Sequence, residues 1–112
     1  MAKVIITKKL EAEINKIFKK ESAEIFESMR KLEDSPHKGN PVGQVGGIVI
    51  KELKHESYRF YFITDGFKIK MLQDEELKDL LIKFVRMSDK KTQQKVIDEI
   101  KKILRTFGEE GF

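Results

Sequence analysis

Residues 58–66 read YRFYFITDG, and this stretch decides the fold. Side chains alternate between the two faces of a β-strand, so Tyr58, Phe60 and Phe62 share one face and Arg59, Tyr61 and Ile63 share the other. An Asp-Gly pair between two apolar runs is a strong hairpin signal, and Asp65-Gly66 is followed by the apolar run Phe67–Leu72. We therefore expect an antiparallel pair of strands, Tyr58–Thr64 and Phe67–Leu72, with Arg59 directed outward or toward something that it binds.

Further strands are expected on both sides of this pair. Gly47–Lys54 precedes it across a turn at residues 55–57, Leu80–Met87 follows the polar turn 73–76, and Lys3–Thr7 is a short β-branched run. A helix is the alternative for Glu75–Leu81. Residues 34–41 form a loop because they contain two prolines and a glycine, and the glycine-rich residues 43–47 are interpreted as a flexible connection.

Helical periodicity marks both ends of the chain. Apolar residues recur every three or four positions at Leu10, Ile14, Ile17 and Phe18, and again at Ile25, Phe26, Met29 and Leu32. One continuous helix of about 26 residues would span roughly 39 Å, so we favour a helical hairpin with Ser22 as an N-cap. Near the end of the chain, an apolar stripe predicts a last helix capped by Gly108, and residues 108–112 are expected to fray; the stripe consists of Val96, Ile97, Ile100, Ile103, Leu104 and Phe107.

These patterns predict an α+β fold. An N-terminal helical hairpin packs on an antiparallel-dominated sheet of four to five strands, a C-terminal helix follows, and residues 1–112 form a single domain. Hydrophobic residues make up 39% of the chain and include eight phenylalanines, which is enough for one core. The absence of cysteine excludes disulfides, cysteine nucleophiles and thiolate zinc sites, and no apolar run reaches membrane-spanning length. We expect a cytoplasmic protein.

Basic residues are concentrated at the two ends of the chain. Residues 1–20 carry six Lys and Arg against two Asp and Glu, and residues 85–105 carry seven against three. The sequence contains no phosphate-binding glycine motif and no HExxH motif, and both histidines are interpreted as loop residues. The remaining candidates are cations on neighbouring strands, namely Lys51, Lys54, Arg59, Arg86, Lys90 and Lys91. They either converge on a phosphodiester, for which arginine is geometrically suited, or are solvated and paired with Glu52, Glu56 or Asp89.

The order of elements and several short strings resemble the RelE/ParE toxin superfamily, in particular its HigB-like, phage-associated branch. That family has a strand ending in an E-L-R-like string, a strand opening with Y-R and aromatic residues, and a K-K-T-Q-like loop before the last helix. The matching segments here are 35–36 with 39–42, 47–54, 58–62, and 84–86 leading to 90–93. Two features depart from the family pattern: nothing aromatic stands between Met87 and Phe107, and the stretch Phe67–Leu80 is longer than the usual connection.

The resemblance implies the toxin of a toxin–antitoxin pair, a ribosome-dependent mRNA endonuclease that uses neither metal nor cofactor. Its implied partners are a cognate antitoxin, the ribosome and mRNA, with no membrane. Matched residue by residue, the implied catalytic residues are Arg59, Arg86, Lys90 and Lys91. Those expected to bind RNA are Lys51, Lys54 and His55. The alternatives are a non-catalytic RNA- or partner-binding protein of the same fold and a ParE-like inhibitor of DNA gyrase.

Overall fold

A five-stranded mixed sheet lies at the centre of the computed structural model, which describes residues 1–112. The strands are β1 (Lys3–Ile6), β2 (Asn40–Val45), β3 (Ile48–His55), β4 (Tyr58–Asp65) and β5 (Leu81–Ser88). Their order across the sheet is β1-β5-β4-β3-β2, in which β1 is parallel to β5 and every other pair is antiparallel. The expected α+β class and the upper strand number are confirmed.

Helices cover both faces of the sheet. The four helices are α1 (Lys8–Phe18), α2 (Ser22–Arg30), α3 (Gly66–Met71) and α4 (Gln93–Phe107). Helices α1 and α2 bury Leu10, Ile14, Ile25 and Met29 in a core shared with Phe60, Phe62 and Phe84. Helix α4 buries Ile97, Ile100 and Leu104 against Ile50, Tyr61 and Ile63 on the opposite face. No helix of the chain has the length and apolar character that crossing a bilayer requires.

The break between α1 and α2 lies where it was predicted, but Ser22 does not cap α2. Residues Lys19–Glu21 form a 3₁₀ turn, and Lys19 adopts a φ of 51° that ends α1. Ser22 is buried inside the first turn of α2, and its hydroxyl donates to the carbonyl of Ile14 at 3.2 Å. The hydroxyl therefore connects the two helices instead of satisfying a backbone N–H at the start of the second.

The hairpin predicted at Asp65-Gly66 is wrong, because residues 66–71 form helix α3. The Asp65 carboxylate accepts hydrogen bonds from the backbone N–H of Phe67 at 3.0 Å and of Lys68 at 3.1 Å. An aspartate with this geometry is an N-cap, which the same residue type favours as strongly as a turn. The Asp65 side chain therefore starts a helix where the sequence suggested a second strand.

Glycine-rich residues 43–47 do not form a flexible connection, so that interpretation is also wrong. Residues up to Val45 belong to β2, and Gly46 and Gly47 make the tight turn into β3, with Gly46 at a φ of 58°. Two-residue hairpin turns need positive φ values, which glycine adopts at little cost. Strand β2 was not recognised in the sequence because it begins with Asn40 and Pro41 and shows no clear alternation of apolar and polar residues.

The C-terminal tail is folded, contrary to the fraying expected for residues 108–112. Gly108 ends α4 with a φ of 67°, as predicted, and residues Gly108–Gly111 form a 3₁₀ turn. Phe112 then packs against the core under α4, and its carbonyl oxygen accepts a hydrogen bond from Lys83 Nζ at 2.9 Å. The tail therefore covers part of the sheet face on which α4 packs.

Gly39, just before β2, and Gly46, just after it, provide a matched test of the packing at the start of that strand, because both have positive φ values. A Cβ atom on Gly39 would lie 2.8 Å from Cζ of Phe62 and 3.2 Å from the carbonyl oxygen of Glu52, whereas one on Gly46 would meet nothing within 4 Å. Gly46→Ala should cost only the left-handed strain, about 1–2 kcal/mol. Gly39→Ala should cost about 1–3 kcal/mol more because of overpacking. Urea unfolding of both variants measures the difference, and equal losses would contradict the close approach.

Candidate nucleic-acid interface

Cations that are far apart in sequence lie at one end of the sheet, which we call the hairpin end. It consists of the β3–β4 turn, the C-terminal end of β5 and the loop 89–92. Lys54 is opposite Arg59 across the β3–β4 ladder, and Arg59 is opposite Ser88 across the β4–β5 ladder. Lys90 and Lys91 lie in the loop that follows Ser88, the last residue of β5. Lys54, Lys90 and Lys91 are exposed, so this end presents three free ammonium groups to solvent.

The backbone of the lysine loop is fixed by Asp89. Its Oδ1 accepts from the backbone N–H of Lys91 at 2.9 Å, from that of Thr92 at 3.0 Å and from the Thr92 hydroxyl at 3.0 Å. These hydrogen bonds, above all those from Thr92, hold the pKa of the Asp89 carboxyl below its ordinary value. The carboxylate stays ionised and keeps the short loop in one conformation, from which Lys90 and Lys91 project.

Arg59 is buried and does not point outward, which corrects the expectation drawn from the strand pattern. Its side chain is 11% exposed, and Nε lies 3.6 Å from a carboxylate oxygen of the equally buried Glu52. Nη1 donates to the carbonyl oxygens of Tyr58 at 3.0 Å and Glu56 at 3.3 Å, while Nε has no hydrogen-bond partner. The guanidinium therefore holds the β3–β4 turn together. Arg59 is paired with Glu52, as in the alternative in which the cations form ion pairs and do not converge on a phosphodiester.

Arg86 lies at a β-bulge, where the pairing changes from Tyr61 opposite Arg86 to Phe62 opposite Phe84. Its Nε donates to a carboxylate oxygen of Glu99 at 2.9 Å, and Nη1 donates to the carbonyl oxygen of Val85 at 2.8 Å. The guanidinium carbon lies 5.0 Å from the centre of the Phe112 ring. Arg86 is partly exposed, so unlike Arg59 it remains accessible from solvent.

A cleft opens beside Arg86, between α1 and the N-terminal half of α4. Strand β1 pairs only with residues 81–84 of β5, which leaves the rest of that edge without a neighbouring strand. Two adjoining pockets of about 280 and 250 Å³ lie along it and share Glu13, Met87 and Thr92. Lys9, Lys95 and Arg86 border the first, and Tyr58 and Ser88 border the second. We call these two pockets the α1–α4 cleft.

Sequence reasoning missed part of this cleft. Tyr58 was assigned to an apolar strand face, but its half-buried ring packs edge-on against Phe18, with centroids 4.9 Å apart, and also borders the cleft. Lys9 and Lys95 were counted only within the two basic ends of the chain. Their positions on the cleft-facing sides of α1 and α4 could have been found only by knowing that those helices flank the same edge of β5.

Lys51 and His55 lie on the other face of the sheet. Lys51 is 4% exposed, its Nζ donates to the carbonyl oxygen of His37 at 2.9 Å, and burial lowers its pKa. His55 turns its Nε2 toward Glu21 and Glu56, at 3.7 Å from each. Lys51 thus anchors the loop before β2 and His55 faces two carboxylates, so neither is grouped with Arg86, Lys90 and Lys91.

A buried hydroxyl pair connects the hairpin end to the core. The Tyr61 hydroxyl and Ser88 Oγ are 2.8 Å apart, and burial raises the pKa of the Tyr61 phenol. Tyr61 is therefore a neutral structural residue, and the aromatic ring available to a ligand near β5 is that of Tyr58.

Comparisons of the chain with protein-family models, with curated proteins and with solved structures gave no match.

Proposed function

We propose that this protein binds RNA at the hairpin end of the sheet and acts as a RelE-like toxin that cleaves mRNA on the ribosome. The observation that carries the proposal is the strand register, which brings Lys54 and the Lys90-Lys91 loop to one exposed end beside the α1–α4 cleft. Lysines that converge on an extended surface neutralise successive phosphates of a single strand. The finer assignment, a RelE-like fold, rests on the short matching strings and on the element order.

The element order supports that assignment. A strand, two helices, antiparallel strands, a last strand and a last helix follow one another as in the family that the sequence resembles. The unusual stretch between Phe67 and Leu80 holds helix α3 and a 3₁₀ turn at Asp74–Glu76, well away in sequence from the lysine loop. This extra element leaves the α1–α4 cleft open, since no residue from it borders the cleft.

The proposed chemistry is an internal transfer at phosphorus. A ribose 2′-hydroxyl oxygen forms a bond to the adjacent phosphorus and passes its proton to water, the bond from phosphorus to the 5′-oxygen breaks, and that leaving oxygen takes a proton from water, which gives a 2′,3′-cyclic phosphate and a free 5′-hydroxyl. Lys90 and Lys91 contact the non-bridging oxygens, and Arg86 stabilises their growing negative charge by exchanging Glu99 for phosphate. The Tyr58 ring offers a surface on which a base can stack at the other end of the cleft. Arg59 positions the β3–β4 turn and does not touch RNA.

A non-catalytic RNA-binding protein of the same fold is the second candidate. The observation that favours it is the pairing of both arginines, Arg59 with Glu52 and Arg86 with Glu99, which leaves neither guanidinium free in the structure. Only the exposed lysines would then hold RNA, and no transition-state contact would exist. The two candidates share the binding surface and differ in whether message is cut. Only the first candidate, the toxin, implies an antitoxin partner.

Reversing the charge of the lysine loop tests the shared surface. Lys90→Glu/Lys91→Glu should weaken the binding of single-stranded RNA at least tenfold at moderate salt. If two phosphate contacts are lost, the slope of log K against log salt should shrink by about 1.4, at roughly 0.7 per contact. Lys101→Glu/Lys102→Glu changes the net charge equally on α4 but outside the hairpin end, and it should bind nearly as wild type does. Fluorescence anisotropy with a labelled RNA measures both quantities.

The same proteins decide between the two candidates. In a translating extract, primer extension should show new 5′ ends on a reporter mRNA with wild type and with the Lys101/Lys102 variant, and none with the Lys90/Lys91 variant. Cuts that require ribosomes support the toxin, whereas RNA binding with intact message supports the second candidate. Equal loss of binding in both double variants would mean that only net charge matters and would contradict a site at the hairpin end.

A further inference from the structure

Three metal-ligating side chains converge where the α1–α2 turn meets the β3–β4 turn. They are Glu21, His55 and Glu56, and one ligand atom from each lies within 4.8 Å of the other two. His55 Nε2 is 3.7 Å from a carboxylate oxygen of Glu21 and 3.7 Å from one of Glu56. One imidazole nitrogen and two carboxylate oxygens thus surround a common point.

The His55 nitrogen at this point has no hydrogen-bond partner, although it is shielded from solvent. Both carboxylates are too distant for a hydrogen bond, which requires about 2.7–3.2 Å between heavy atoms. The ring is held in place by Phe18, whose centroid is 5.7 Å away in an edge-on arrangement, and by Phe60 at 6.3 Å. A shielded polar atom without a partner is uncommon in proteins, and a bound ion is one recognised explanation.

The spacing suits a tetrahedral metal ion. Zinc binds imidazole nitrogen at about 2.0–2.1 Å and carboxylate oxygen at about 2.0–2.2 Å, so neighbouring ligand atoms are roughly 3.3–3.5 Å apart. The two distances from His55 Nε2 to the carboxylates, 3.7 Å each, exceed this by a few tenths of an ångström, and the two carboxylate oxygens lie within 4.8 Å of each other. Rotation of the exposed Glu21 and Glu56 side chains can bring all three atoms closer together. Mixed imidazole and carboxylate ligands suit Zn²⁺ and related transition metals, and three protein ligands leave a fourth position for water.

We infer that Glu21, His55 and Glu56 form a binding site for a divalent transition-metal ion, with Zn²⁺ as the ion that fits best. The ion would join the corner after α1 to the turn between β3 and β4. Lysines at positions 31, 38 and 54 border a pocket of about 220 Å³ that also includes His55. Their positive charges should lower the affinity of the site for a cation. Glu56 belongs to the β3–β4 turn of the hairpin end, but the site shares no residue with the α1–α4 cleft or with the lysine loop, and metal binding can be measured without RNA.

His37 provides an internal control, because it is the other histidine of the chain and both its ring nitrogens are engaged. Nδ1 contacts the Asp74 carboxylate, and Nε2 contacts the carbonyl oxygen of Ile69 at 2.9 Å. Isothermal titration with ZnCl₂ should show one ion per chain for wild type and for His37→Gln. The dissociation constant should rise at least tenfold in His55→Gln, Glu21→Gln and Glu56→Gln. Cobalt(II) should give the visible absorption of a tetrahedral site in wild type and not in His55→Gln.

Thermal unfolding separates lost ligation from lost folding. Glu21 and Glu56 are exposed, so their glutamine variants should unfold near the wild-type temperature without metal and should lose the rise in Tm that Zn²⁺ gives wild type. Zinc binding that persists in His55→Gln, or that disappears in His37→Gln, would overturn the site. The absence of saturable binding to wild type would do the same.

Discussion

Replacing Glu52 by alanine is expected to lower the free energy of unfolding by about 3 kcal/mol, near the lower end of the values for breaking a buried ion pair. Glu52 is the only carboxylate paired with Arg59, at 3.6 Å, and both side chains are nearly inaccessible to solvent. Removing it leaves the guanidinium buried with two carbonyl oxygens as its remaining partners. Urea unfolding monitored by circular dichroism measures the loss.

Two further variants separate the pair from the positions that it occupies. Glu52→Leu/Arg59→Leu removes both charges together and should recover much of the stability, because an apolar pair can replace a buried ion pair at little cost. Glu24→Ala, at an exposed position on α2, should change stability by less than about 0.5 kcal/mol. A loss of that small size for Glu52→Ala would mean that Arg59 is not held by Glu52 and is free to reach RNA.

This experiment also decides how activity data on Arg59 are interpreted. Arg59→Ala leaves Glu52 buried and unpaired, so a loss of cleavage by that variant could result from unfolding alone. The double leucine variant avoids this problem. If it is folded and still cleaves mRNA, then Arg59 is a positioning residue, as its contacts with the β3–β4 turn indicate. If it is folded and inactive, Arg59 takes part in the reaction.

The main elements of the fold could be predicted from local pattern, because each carries its own periodicity. Strand β4 is a run of aromatic and branched residues that is buried from Arg59 to Thr64, and α4 has apolar residues at helical spacing, of which Ile97, Ile100 and Leu104 are buried in one core while Phe107 is exposed. Helix α3 could not be recognised in this way. Phe67 and Met71 are exposed on it, so the segment has no buried apolar stripe, and its start depends on the capping geometry of one aspartate.

The surroundings of the candidate site residues were less accessible to sequence reasoning. Glu52 was among the possible partners of the arginines, because a short turn between β3 and β4 places it diagonally across from Arg59 on the same face of the sheet. The Arg86 partner Glu99 and the His55 neighbour Glu21 depend on how helices pack against the sheet. No spacing rule encodes those contacts, which is why His55 was taken as an isolated loop residue.

Phe62→Ala is expected to lower the free energy of unfolding by about 3–5 kcal/mol, the range for deleting a fully buried phenylalanine side chain. Phe62 is inaccessible to solvent, and its ring centroid lies 4.9 Å from that of Phe84. The Lys51 ammonium lies 6.0 Å above the same ring. Phe67→Ala is the matched control, because that side chain is 68% exposed and its loss should cost less than about 0.5 kcal/mol. Urea unfolding of the two variants gives the comparison, and similar losses would place Phe62 outside the core.

The same ring should couple energetically to Gly39, whose missing Cβ would lie 2.8 Å from Cζ of Phe62. Phe62→Leu removes Cζ and opens space at that point, so Gly39→Ala should cost less in the leucine background than in wild type. A double-mutant cycle should therefore give a favourable coupling of about 0.5–3 kcal/mol, as found for residues in direct contact. The strain of the positive φ at Gly39 is the same in both backgrounds and cancels in the cycle. A coupling near zero would mean that backbone strain alone sets the cost of Gly39→Ala, and that the loop before β2 does not press on the aromatic core.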